Sequence, residues 1–234
     1  MPNHVTTTCA VSGPASDVQL FREMLFPDGD AEQFDFNKII PMPAILKAAQ
    51  ESTIAEFGAA LIMAEAQDQK NFFGGAEINI PDQWVAKMRQ ETGCHHMGEV
   101  ARAYLAAHPE YREQGLLRLR AVAETGFVSW YPWAIQNWGT KWGSYRVSVT
   151  DNGEPFAFSF ETAWSFPEPV FAKLVEKFPT LTFDLATFDE GWNFAGEGQM
   201  GAVVAKPFEI GSATNELYER VYGHAPELED EGEA

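Results

Sequence analysis

From Tyr145 to Phe188 the chain puts apolar and polar side chains on alternate residues three separate times. The three runs are Tyr145-Arg-Val-Ser-Val-Thr150, the segment with Phe156, Phe158 and Phe160, and Leu181-Thr-Phe-Asp-Leu-Ala-Thr-Phe188. A period of two fits a half-buried β-strand and cannot line one face of a helix. Asp151-Asn152-Gly153 between the first two runs is a hairpin signal, because Asn and Gly accept the positive φ that tight hairpins need. Between the second and third runs, Pro167-Glu-Pro169 opens a helix whose apolar stripe is Val170, Phe171, Leu174, Val175 and Phe178. The order is strand, strand, helix, strand.

The N-terminal part adds to this pattern. His4 to Val11 is rich in β-branched residues and predicts a strand. A turn at Ser12-Gly13-Pro14 leads into a helix with Val18, Phe21, Met24 and Leu25 at helical spacing, ended by Pro27-Asp28-Gly29-Asp30. Phe34 to Ile40 reads as a second strand, stopped by Pro41-Met42-Pro43. Residues 44–128 are helical in character. Ala44 to Ala66 fits one or two helices, and Asn71-Phe-Phe-Gly-Gly75 interrupts. Further helices are predicted from Pro81 to about Gln90, Gly98 to Ala107 and Glu110 to Thr125. The last has Leu116, Leu117, Leu119 and Val122 as its expected buried stripe. Without this helical insertion the chain reads β-α-β then β-β-α-β, the ferredoxin-like α+β pattern, with helices on one face of an antiparallel sheet. Residues 1–43 plus 129–210 are then the ferredoxin-like domain and 44–128 the insertion. Trp192 to Gly196 with Met200 to Ala205 suggests a final hairpin. Residues 211–234 give a short helix, Asn215 to Tyr222, and a disordered acidic tail, Glu227 to Glu233.

Trp130 to Trp142 holds four of the seven tryptophans. Rings of that size either anchor a core or form a recognition surface. Asn137-Trp138-Gly139-Thr140 reads as a tight turn. In one reading Trp133, Trp138, Trp142 and Trp164 form a core that pins the insertion to the sheet. In the other they stack nucleobases beside Lys141 and Arg146.

Charge is distributed unevenly. The net charge is −18, and from Val147 to Ala234 four basic residues (Lys173, Lys177, Lys206, Arg220) face seventeen acidic ones, a net of −13. That half is unsuited to a phosphate backbone and suited to a basic protein surface, such as one that normally holds nucleic acid; acidity for solubility alone is the plainer alternative. No stretch of about 18 apolar residues suggests a membrane helix, and Met1 to Val5 lacks a signal-peptide pattern, so a cytoplasmic protein is expected. Cys9 and Cys94 are expected as free thiols.

A family resemblance rests on several spaced segments. Met1-Pro-Asn3, Phe36-Asn-Lys-Ile-Ile-Pro-Met-Pro43, Trp133 with Asn137-Trp-Gly-Thr-Lys-Trp142, and Phe160-Glu-Thr-Ala-Trp-Ser-Phe-Pro-Glu-Pro169 resemble the YubB-type proteins of plasmids and phages. The resemblance covers about residues 1–43 and 130–200. Many members begin Met-Pro-Asn-Trp-Cys, where this chain has His4 and Val5. The resemblance implies a ferredoxin-like domain and a mobile-element origin. It implies no reaction, so no catalytic residue is carried over.

Candidate chemistry is sparse. Cys94-His95-His96 with Glu99 and His108 has metal-ligand residue types but lacks the paired spacing of a zinc site, and an ordinary loop is the simpler reading. Glu161 with Lys141 makes either an acid–base pair or a structural ion pair. No glycine pattern cradles a nucleotide, and no cofactor or metal is expected. The expected binding residues are Trp133, Asn137, Trp138, Lys141, Trp142, Glu161 and Trp164. The expected function is that of a non-enzymatic phage- or plasmid-encoded protein. It would bind a host protein with a basic surface, as a counter-defence inhibitor mimicking nucleic-acid charge inside a bacterial host. The alternative is a single-stranded nucleic-acid-binding module using an aromatic sheet face.

Overall fold

The computed structural model describes residues 3–27, 34–49, 51–67, 80–150 and 155–226. The strand β1 (His4–Ser12) is followed by the helix α1 (Ala15–Leu25). Then come the helices α2 (Ala44–Ala48), α3 (Thr53–Gln67), α4 (Asp82–Thr92), α5 (Met97–Ala107), α6 (Pro109–Thr125) and α7 (Trp130–Trp138). The chain continues as β2 (Tyr145–Thr150), β3 (Phe156–Ala163), α8 (Glu168–Lys177), β4 (Thr182–Asp189), β5 (Ala195–Gly201), β6 (Glu209–Gly211) and α9 (Asn215–Tyr222). Two compact units result, Met1–Pro41 with Ala134–Ala234, and Met42–Trp133. The readings at Asp28 to Asp30, Asn71 to Gly75, Asp151 to Gly153 and Glu227 to Glu233 lie outside the described residues.

In the first unit the described strands form one antiparallel sheet in the order β2-β3-β1-β4-β5-β6. The run β2-β3-β1-β4 is the ferredoxin-like arrangement, two interleaved split βαβ units that contribute β3 and β1 as its central strands. Register fixes the faces. Val5, Thr7, Cys9 and Val11 stand opposite Thr162, Phe160, Phe158 and Phe156 on one side and Asp189, Thr187, Leu185 and Phe183 on the other. All twelve are buried and share one face. The Thr7 and Thr187 hydroxyls satisfy each other at 2.9 Å. Helices α1 and α8 cover this face through Phe21, Val170, Phe171 and Leu174, each fully buried. The Phe21 ring lies 5.6–6.1 Å from those of Phe156, Phe158 and Phe183.

The segment expected as a second strand, Phe34 to Ile40, is not one. Phe36–Lys38 is a turn of 3-10 helix, capped by the Asp35 carboxylate, which accepts the Asn37 N–H at 2.9 Å. A short acidic side chain that bonds its own backbone competes with a ladder. The Phe34 backbone is satisfied by Ser144 instead: its N–H donates to the Ser144 hydroxyl at 3.0 Å, which donates back to the Phe34 carbonyl at 2.8 Å. Phe34 and Phe36 both turn inward, and Phe34 packs 5.1–5.9 Å from Phe26, Phe158 and Phe160. With this strand removed, the sheet unit runs from β1 to β4 in the ferredoxin-like order, and β5, β6 and α9 extend it.

Two further expectations change. Helices do not occupy one face alone. Helix α9 lies against the opposite face at β4 and β5, where Val221 is buried with Ala186, Phe188 and Ala195. Arg220 fastens it, reaching Asp184 at 2.8 Å and Glu197. The final hairpin is also different: β5 pairs with β4, and β6 then pairs with β5.

In the second unit Phe57, Leu61, Met88, Val100, Tyr104 and Leu105 form the core. The stripe expected for α6 is not its buried side. Leu116 and Val122 are exposed, and Tyr111, Gly115 and Ala121 are buried. The reason is close approach: a Cβ on Gly115 would lie 2.3 Å from the Gly58 carbonyl carbon, so α3 and α6 meet through their backbones. Small residues, not leucines, line such a contact.

Glu197 gives the first unit a pH dependence. The Lys206 ammonium, followed by the Arg220 guanidinium, holds its carboxyl below the usual carboxylate range against the opposing effect of burial. A depressed native pKa stabilises above the unfolded value of 4.5 and loses that contribution as pH falls through the native value. The melting temperature is expected to fall on acidification below that value. Glu197→Gln should flatten part of the fall and lower stability near neutrality, measured by thermal denaturation across pH 3–7.

Candidate functional site

The tryptophan stretch divides into core and surface. Helix α7 takes up Trp130 to Trp138, so Asn137 sits in its last turn and not in a free-standing turn. Gly139, at φ 78°, ends the helix with its N–H on the Ile135 carbonyl at 3.1 Å. Trp133 and Trp138 are buried, and the Trp138 indole N–H donates to the Ile40 carbonyl at 2.9 Å. Trp142 is half-buried and Trp164 is exposed, so the expected four-ring core does not form as a whole. Lys141 instead places its ammonium 4.7 Å from the Trp142 ring and 4.6 Å from the Trp164 ring, within cation–π range of both.

Glu161 has different neighbours from the lysine expected for it. Arg146 donates to its carboxylate at 2.8 Å and His4 lies 3.5 Å away. The ring of His4 also bonds the Tyr145 hydroxyl at 2.6 Å. The register Tyr145↔Glu161 and His4↔Ala163 brings these groups to one end of the sheet, on the face opposite α1 and α8. Arg146 reaches Glu161 because the β2–β3 register shifts between Tyr145 and Ser148, with Arg146 at φ 48°. A bulge that re-aims a side chain in this way is a built feature. Burial, and then Glu161, pushes the Tyr145 phenol up to about 12, so it stays neutral and acts as a hydrogen-bonding group. In the sequence Glu161 and Arg146 were visible singly. His4 and Tyr145 were missed as members of a site, since only strand pairing brings them to it.

The same end of the sheet holds the turn from β4 to β5. The buried Asp189 carboxylate accepts the Asn193 backbone N–H at 3.1 Å and its side-chain amide at 2.6 Å. The Trp192 N–H donates to the Asp189 carbonyl at 2.9 Å, and the Glu190 N–H to the His4 carbonyl at 2.9 Å. Trp192 stands at φ 58° and remains 42% exposed. The described non-glycine residues with positive φ are Arg146, Trp164 and Trp192, and all three lie at this end. Such strain in bulky residues persists only where the surroundings impose it.

Elsewhere the chemistry is plain. Among the described residues no group of three His, Cys, Asp or Glu side chains is placed to hold a metal. His95 and His96 are exposed, and His108 pairs with Glu91 and lies 4.2 Å from the Tyr104 ring, tilted by 32°. Burial pushes the Cys9 thiol well above its usual range, which makes it inert. A groove of about 750 Å³ lies between α1 and the start of β3, lined by Val18, Arg22, Phe26 and Phe156. No described helix is long and apolar enough to cross a membrane.

No curated protein matches this chain. A crystal structure of a protein api92 from Yersinia pseudotuberculosis aligns with 92% of the chain and 99% of its own length, at 9% sequence identity and a TM-score of 0.40. Residues 137–204 match the family model of the ferredoxin-like domain in Api92-like protein, and it is to that domain, over that stretch, that this protein is similar.

Proposed function

We propose that the chain is a non-enzymatic binding protein whose acidic ferredoxin-like domain docks on a basic protein surface, of the kind that otherwise holds nucleic acid. The observation that carries the reading is how most cations of the C-terminal half are spent. Three of the four are paired, Lys206 and Arg220 with Glu197 and Asp184, and Lys173 with Glu176, while Lys177 is exposed. Glu168, Glu190, Glu209, Glu216 and Glu219 remain exposed. A surface of one sign steers a partner of the other and excludes phosphate backbones. The resemblance to YubB-type proteins suggests a plasmid or phage gene, and hence a bacterial cytoplasm and a host target that handles nucleic acid, such as a defence component.

Affinity capture from bacterial lysate tests this, using the full chain beside a variant with Glu190, Glu209, Glu216 and Glu219 all changed to Gln. The expected result is a nucleic-acid-handling protein retained by the wild type, released by added DNA and lost with the variant. Capture that is indifferent to the charges would overturn the reading. A second reading, single-stranded nucleic-acid binding, is favoured only by the exposed Trp164 beside Lys141. Fluorescence anisotropy with single-stranded DNA and RNA at low salt decides it, and no binding at micromolar protein removes it.

A further inference from the structure

We infer that the turn at the end of β4 is where the partner docks, and that Trp192 and Glu190 together receive an arginine side chain from it. The inference rests on the acidic-docking reading and gives it a location. The argument begins with the conformation of Trp192. A tryptophan at φ 58° is strained, and the residue remains 42% exposed, so its place in the β4–β5 turn, where its N–H closes on the Asp189 carbonyl, is imposed by its surroundings and not by local preference. The turn around it is nonetheless fixed. Asp189, buried to 1% exposure, binds the Asn193 backbone and side chain, and Glu190 is tied to His4 in both directions. In one of these ties the Glu190 carboxylate accepts the His4 N–H at 2.7 Å, which fixes it in the same turn as the tryptophan, two residues along the chain.

The ring is supported from behind. Tyr218 of α9 stacks on it at 5.4 Å and 12°, and Phe188 meets it edge-on at 4.9 Å. Helix α9 is itself held to the sheet by Arg220 on Asp184 and Glu197. A rigid, partly exposed indole with a fixed carboxylate two residues away suits a flat cation, which gains the ring face and the counter-charge together. Arginine fits better than lysine because its planar guanidinium stacks on the indole while its edge bonds the carboxylate. Charge complementarity points the same way: Glu216 and Glu219 are exposed on α9, whose Arg220 is already occupied. Tryptophan set in such a frame is also the residue type that most often dominates an interface.

The test uses the full chain and hexaarginine at low salt, followed by the indole N–H resonances in two-dimensional NMR, with hexaglutamate and a single-stranded oligonucleotide as controls. The Trp192 indole resonance is expected to move most, with hexaarginine alone. Trp192→Ala should weaken binding about five- to tenfold. Glu190→Gln and Trp192→Phe should give smaller losses. The phenylalanine variant keeps a ring over Tyr218 and guards against a trivial folding defect. Hexaarginine bound equally well by both Trp192 variants, or movement confined to other tryptophans, would overturn the inference and leave the acidic-docking reading in place. No binding of hexaarginine by the wild type would remove both. Movement of Trp192 by the oligonucleotide would overturn the inference in favour of base stacking.

Discussion

Gly58→Ala is expected to cost the helical unit about 3 kcal/mol or more, at or beyond the upper end of ordinary overpacking. A Cβ built on Gly58 would lie 1.9 Å from the Tyr111 carbonyl oxygen and 3.1 Å from the Gly115 Cα. Both obstacles are backbone, so no rotamer change relieves them and α3 must move off α6. That movement would open the surrounding core, since Phe57 and Leu61 flank the glycine on α3 and Tyr111 precedes Gly115 on α6. Urea denaturation followed by far-UV circular dichroism should show an early loss of helix, with the sheet transition unchanged. Gly93→Ala is the control. Its Cβ would meet nothing within 4 Å, and only the left-handed backbone at φ 68° opposes it, a penalty of about 1–2 kcal/mol. Equal losses from the two would mean that the close contact is not what Gly58 provides.

Phe34→Ala is expected to cost the sheet unit about 3–5 kcal/mol, the range for removing a buried ring. Phe34 is fully buried and lies within 6.1 Å of the rings of Phe26, Phe36, Phe158, Phe160 and Phe171. Those neighbours come from three different elements and a loop, so the cavity cannot close by the shift of a single one. Phe34→Leu should cost less than half as much, because it fills most of the volume. Near-UV circular dichroism during thermal denaturation gives the readout. An alanine variant as stable as the leucine one would place Phe34 outside the core.

Phe34 also shows what the sequence could and could not convey. The strands β2 and β3 were legible because each keeps a period of two over most of its length, and β4 because it keeps it as far as Leu185, before α9 buries its other face at Ala186 and Phe188. Phe34-Asp35-Phe36 imitates that period. What defeats it is a cap from Asp35 and a hydroxyl from Ser144, which is 110 residues away. The stripe on α6 failed for a related reason: leucines draw attention, yet the burial is decided by Gly115 facing Gly58 across another helix. The site residues follow the same rule. Trp138 was recognisable as an anchor from its own neighbourhood. The group of His4, Tyr145, Arg146 and Glu161 depends on strand register, and the partners of Lys141 depend on where β3 ends. For Trp192 the available signal was the Asp189-Glu-Gly-Trp-Asn193 turn directly after an alternating strand, a place where glycine and asparagine announce a bend but not which ring it presents.

The central position of β1 carries a consequence for how the protein is made. Of the described strands it is made first, and both its neighbours, β3 and β4, follow only after the helical unit. Its Thr7 is joined to Thr187 across 180 residues of chain. At about 5–20 residues per second, those residues take roughly 10–40 s to synthesise. Until β3 is made this nine-residue, threonine-rich strand has both hydrogen-bonding edges open, and the edge for β4 stays open through the whole interval, while the helical unit, built from nearby contacts, can already form. The sheet is therefore a late event gated by translation, and the nascent chain is most prone to mispairing at β1.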